Sequence, residues 1–368
     1  MALSSTLTVS VSKFLNLVNK WSLYLAILVW PFGHLLKFSS LYLLDIVCFL
    51  VFITFVLGDN FNKYKTNLLF KSLNVFWFSL LVSILYALWQ HELSTPTTNL
   101  FYYLRALAYP FLAFSYFIHK SDDLKKISIL SVIIFVALAL LQYLLLPDLR
   151  IFKNLGFDDH YYRLAGTLLD PNFAGAILAT VAIFLLMSKK YFASLVLIFS
   201  LALTFSRASY LAFVTTLVPL VAYKKYLKLL WLVPVLALAV YFSPKPFGEG
   251  VNLFRTYSIY SRAQSINNGV QLFLERPTVG KGFGELTSTA GNKVSVDNSY
   301  VYLLAGSGLL GFVSFILVIF AVLNTTQKDT YLLLLPILIH SLFNNSFFYI
   351  WIMSLFWVLV GYSFKESK

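Results

Sequence analysis

The sequence predicts an all-α polytopic membrane protein with about 12 transmembrane helices and one larger extracytoplasmic loop holding a short interfacial helix. Three observations carry that expectation. The 368 residues are 59% hydrophobic and only 12% charged, whereas soluble domains sit at about 45–50% apolar and about 25% charged. Mean hydropathy is +0.79. Apolar runs near the roughly 20 residues a spanning helix needs recur along the chain, at 17–36, 39–58, 70–89, 99–118, 127–146, 171–188, 191–206, 208–223, 229–243, 299–322, 331–345 and 347–364.

The elements follow in order. Lys13 and Lys20 precede the first run, and no small-residue cleavage site follows it, so the first span reads as retained rather than as a signal peptide. The single cysteine, Cys48, excludes a disulfide within the chain. A formal net charge of +13 could suggest nucleic acid, but its distribution argues against that partner. With the N-terminus inside, sixteen of the 28 cations fall on the inner side, eleven outside and one, Arg105, within the fourth run. Short loops follow the positive-inside rule, and the outer excess sits in longer loops where that rule is weak. Every inner cation is lysine, while all seven arginines lie outside or within the membrane. The arginine fork matches phosphate oxygens in a way the lysine point charge does not. The split points to an anionic, phosphorylated ligand on the outer side.

Two outer loops carry the remaining polar residues. The first runs from Pro147 to Asp170, where Asp170 caps the next span and Pro171 opens it. The second, 243–298, places Ala263, Ile266, Val270 and Phe273 at helical spacing before Pro277, which predicts a surface helix of about four turns with Arg262 at its start. "GKGFG" at 280–284 reads as a tight turn, since no strand precedes it and no helix follows directly. Arg207, in "LTFSRASYLAF", breaks an otherwise apolar stretch between Ser206 and Ser209, and such a charge is costly unless it serves a purpose. Arg105 faces two readings, a structural pair with Asp45 or a place in a ligand site. The histidines show no metal spacing and the outer acidic residues are not expected to gather, so no metal and no cofactor are expected.

The order "GTLLDPNFAG", "LTFSRASYLAF", "SRAQSINNGVQLFLERPTVGKGFG", "DNSYVYLLAGSGLLG" resembles the O-antigen ligase and polymerase superfamily over roughly residues 163–361, within one integral membrane domain spanning 1–368. The resemblance implies a metal-independent glycosyltransferase of a bacterial inner membrane, with both termini cytoplasmic. It would move a glycan from undecaprenyl pyrophosphate to an acceptor hydroxyl on a glycan, a lipid A core or a protein. It implies that Arg207 and Arg262 hold the pyrophosphate. Where the ligases have a histidine before asparagine, this chain has Asp297 before Asn298, which makes Asp297 the candidate base. Arg163, Arg105, Ser206, Asn298 and His340 complete the expected substrate contacts. A polymerase of the same superfamily would differ only in its acceptor. A transporter would be expected to show two related halves and midplane charges; no convincing internal repeat is visible.

Overall fold

A long apolar run away from water satisfies its backbone N–H and C=O groups only as helix or closed barrel, and these runs form helix. The computed structural model describes residues 2–38, 41–155, 157–224, 226–246, 249–288 and 292–365. Fifteen helices follow one another among them: α1 (Ala2–Val29), α2 (Leu43–Leu57), α3 (Asn60–Tyr64), α4 (Leu68–Trp89), α5 (Pro96–Ala108), α6 (Phe111–Ile118), α7 (Asp122–Leu145), α8 (Pro171–Met187), α9 (Tyr191–Ala202), α10 (Arg207–Lys224), α11 (Leu232–Phe242), α12 (Tyr257–Glu275), α13 (Ser299–Thr325), α14 (Thr330–His340) and α15 (Ile350–Ser363). The described strands are one two-residue hairpin, Lys37–Phe38 with Leu41–Tyr42.

Each of the twelve apolar segments carries helix. Three helices, α4, α7 and α13, are long and apolar enough to cross a membrane by length and composition. The others are shorter: α9 and α14 rise about 16–18 Å against roughly 30 Å of hydrocarbon. The fourth expected span is cut in two at Tyr109 and Pro110, so α5 and α6 replace one helix. Large apolar side chains such as Phe78, Leu145 and Phe192 point outward, while Asn19, Asp45, Ser83 and Thr180 are buried. That inversion suits a helix bundle whose solvent is lipid and would be a liability in water.

The site rests on α8, α10, α12, α13 and α14. Helix α10 packs against both α8 and α14, and α12 lies along α13. Gly175 makes the first contact possible: a Cβ there would lie 2.5 Å from Ser209 Oγ. Helix α13 breaks at Gly308 (φ 63°, ψ −163°). At that break the N–H groups of Leu309 and Leu310 donate instead to the carbonyls of Pro277 and Thr278. Lys281 N–H donates to Ala305 in return. "GKGFG" is thus a turn braided into the broken helix, as expected, with Gly280 at φ 73° against the Gly306 backbone.

Candidate functional site

The turn between α9 and α10 is where the site begins. Residues 203–206 leave α9 with Phe205 in the left-handed region, so carbonyls at the end of α9 face outward without helical partners. Those carbonyls attract cations, as does the negative end of the helix dipole. Arg163 donates from Nε to Thr204 O at 2.8 Å, and Arg255 from Nη2 to Phe205 O at 3.2 Å. Arg207, first residue of α10, reaches the other way, from Nη1 to Leu253 O at 3.0 Å and from Nη2 to Ser258 Oγ at 2.5 Å. Turn and loop grip each other through two arginines pointing in opposite directions.

Arg262 enters from α12. That helix starts at Tyr257, earlier than the apolar spacing indicates, so Arg262 is its sixth residue and the free N–H groups of the first turn lie elsewhere. Its Nη2 makes one long contact, 3.4 Å to Asn344 Oδ1. Asn344 Nδ2 in turn donates to His340 Nε2 at 3.2 Å, while His340 Nδ1 meets Ser346 Oγ at 2.6 Å. Because Asn344 Nδ2 only donates, Nε2 accepts and Nδ1 carries the proton. His340 is fully buried and belongs to this network.

Asp297 faces Arg262. Its backbone N–H donates to Ser265 Oγ at 2.8 Å, which pins it to α12. The α13 cap is its neighbour: Asn298 Oδ1 accepts from the N–H groups of Tyr300 and Val301, and Nδ2 donates to Leu342 O at 2.7 Å. Asp297 is therefore not the cap, and its carboxylate meets Ser295 Oγ at 3.4 Å. Burial pushes this carboxyl above the usual carboxylate range, with Arg262 opposing the shift.

The electrostatics of the four arginines differ from those of five other outer cations. Arg150, Lys153, Arg276, Lys281 and Lys293 each sit within 4.0 Å of a carboxylate. Among the described residues Arg163, Arg207, Arg255 and Arg262 have no such partner. Burial, then repulsion from Arg255, pushes the Arg163 guanidinium down to about 9. Burial first, then Arg207 and Arg262, lowers Arg255. Burial and Arg207 lower Arg262, although Asp297 and Asp170 pull it up. Arginine keeps its proton in proteins, so these shifts describe a buried cluster short of negative charge.

Four expected residues, Arg163, Arg207, Arg262 and Asp297, are thus brought together, and His340 joins through Asn344. Three expectations need correction. Arg105 forms a two-pronged pair with Asp45, Nε to Oδ1 at 2.8 Å and Nη2 to Oδ2 at 2.6 Å, and Tyr109 adds a third bond. Its fork is spent inside the bundle. Ser206 and Ser209 are fully buried. The Ser206 hydroxyl accepts from Ser209 Oγ at 2.8 Å and from its N–H, so it caps α10 instead of facing a ligand. Asn298 is consumed by the α13 cap. Arg255 and Asn344 were not singled out from sequence. The spacing of Arg255 seven residues before Arg262 gave a faint signal; Asn344 gave none, because only folding sets it between Arg262 and His340. Against expectation, outer acidic residues do gather: Asp158, His160 and Asp170 place donor atoms within 4.8 Å of one another.

Comparison with protein-family models and with curated proteins finds no match for this chain.

Proposed function

We propose that this chain is a membrane glycosyltransferase of the O-antigen ligase type, moving a glycan from an undecaprenyl-pyrophosphate carrier to an acceptor hydroxyl. One observation supports the reading above the rest. Four arginines from three distant segments converge with no carboxylate within 4.0 Å among the described residues, near a carboxyl, Asp297, that burial pushes above the usual carboxylate range. A pyrophosphate supplies the missing negative charge, and Arg–phosphate bonds are charge-assisted and two-pronged. In this reading Arg262, most of whose donors have no partner among the described residues, and the remaining donors of Arg207 stabilise the leaving pyrophosphate as charge develops on it. Asp297 takes the acceptor's proton. The reaction so drawn calls on no metal.

The topology that goes with it has twelve crossings, both termini in the cytoplasm and the arginine cluster outside. The shorter helices would cross with flanking turns or part-way, and α12 would lie at the surface.

The test is transfer by variants that still accumulate in the membrane. Arg262→Ala, which removes only one long contact, should lose transfer while the chain keeps its wild-type yield. Arg207→Lys should retain part of the activity of wild type and Arg207→Ala none, since lysine restores charge but not the fork. Wild-type transfer by Arg262→Ala defeats the proposal. Mass spectrometry of surface glycans in a deletion strain separates the acceptors: free polymer without attachment means a ligase, single-repeat products a polymerase.

A further inference from the structure

The outer loop before α8 holds a second group of side chains beside the arginine cluster. Asp158, His160 and Asp170 each offer one donor atom, a carboxylate oxygen or a ring nitrogen, and all three atoms lie within 4.8 Å of one another. Acidic residues gather on protein surfaces for many reasons, and the imidazole is what distinguishes this group. His160 is only 7% exposed, and its Nε2 has no hydrogen-bond partner among the described residues. With the ring proton on Nδ1, the Nε2 lone pair is free to bind a metal, the usual form of histidine as a ligand. A buried ring nitrogen without a partner among the described residues thus belongs to a histidine grouped with two carboxylates.

The carboxylates are suitably disposed. Asp170 spends Oδ1 on the Asn172 N–H at 2.7 Å, as cap of α8, and retains Oδ2. Asp158 is exposed. Donors around one ion sit roughly 2.0–2.2 Å from it, and the exposed Asp158 is the side chain with the most room to adjust to that spacing.

We propose that Asp158, His160 and Asp170 form a binding site for a divalent transition cation, Mn2+ or Zn2+, that ties the loop around His160 to the N-terminus of α8. Two carboxylates balance the charge of the ion, which lets it sit near Arg163. An imidazole donor selects against Mg2+ and Ca2+, which take all-oxygen shells. The ion holds the segment bearing Arg163 in place and takes no part in transfer; the site stands whether or not the chain moves a glycan.

The test uses the full chain, purified in detergent and stripped by a chelator. Free Mn2+ is followed by electron paramagnetic resonance during titration with Mn2+ alone, and Zn2+ is then added as competitor. The expected result is one Mn2+ per chain displaced by Zn2+, with affinity at least about 10-fold weaker in both Asp158→Asn and His160→Ala. Asp158→Asn changes an exposed side chain and preserves its shape, so it reports on binding even if His160→Ala folds poorly. Mn2+ should also raise the unfolding temperature of the wild type, because a ligand of the folded state alone stabilises it, and leave that of Asp158→Asn unmoved. Equal Mn2+ affinity in wild type and Asp158→Asn overturns the proposal. So does the absence of any site for either ion.

Discussion

Arg262 and Asp297 set opposite demands on each other, and the balance gives the site its pH dependence. Burial raises the Asp297 carboxyl, and the Arg262 charge partly restores it. If the carboxylate is the base, transfer falls as pH drops through a value above the ordinary carboxylate range, and Asp297→Asn removes that acid limb. The same substitution should lower the rate roughly 10²–10⁴-fold, the usual worth of a positioned base. Expression should be unchanged, since Asn298 is the cap. The linkage has a definite sign. A carboxyl whose folded pKa exceeds its unfolded value binds the extra proton in the folded state, so its contribution to stability declines as pH rises from the unfolded pKa through the folded one. Unfolding followed against pH in wild type and Asp297→Asn measures this. Arg105 tests the other kind of intramembrane charge. Arg105→Ala leaves Asp45, 0% exposed, without its counter-charge, and breaking such a pair costs about 3–5 kcal/mol. The double variant Asp45→Leu with Arg105→Met should recover most of that stability; thermal unfolding in detergent checks both.

At the scale of elements, two close approaches hold the scaffold under the site. Gly175 brings α8 against the start of α10, where Ser206 and Ser209 spend their hydroxyls on the turn that presents Arg207. Gly308 opens α13 so that the 277–281 segment can donate and accept through the gap. Gly308→Ala meets two obstacles. Its φ of 63° is costly for any residue with a Cβ, by about 1–3 kcal/mol, and the new Cβ would lie 2.4 Å from the Thr278 backbone. The expected outcome is a lowered unfolding temperature, with transfer lost only as far as folded protein is lost. The helix boundaries were partly legible in the sequence. Asp170 before Pro171 announced the start of α8, and Pro277 bounded α12. The beginning of α12 was not legible: Tyr257, Ile259 and Tyr260 in its first turn are exposed and carry no apolar period.

For the whole molecule the sharpest question is which way the chain faces. Tags after Lys190 and Lys228 should report the cytoplasm, and a tag at Gly291, which lies outside the described residues, should report the opposite side. A cytoplasmic signal from Gly291 would turn the arginine cluster inward and remove the proposed substrate from its reach. The short helices make this measurement necessary. Hydropathy locates apolar segments but does not say whether a 12-residue helix such as α9 crosses a bilayer.

The sequence by itself determined that the chain is helical and apolar, where its apolar segments lie, and that its arginines are segregated from its lysines. These follow from local properties: composition, periodicity, and cap or proline signals that act over one turn. The tertiary structure alone decided which of those charges are free. Arg105 and Arg262 both read as costly, conspicuous arginines, yet one is paired with Asp45, sixty residues away, while the other, among the described residues, makes one long hydrogen bond to Asn344 and faces Asp297 without pairing with it. It also decided that Asn298 caps α13 and thereby releases Asp297, and that Asp158, His160 and Asp170 meet at all. Whether a charge is paired, buried or repelled depends on neighbours brought from distant segments, and those neighbours are fixed by how the helices pack.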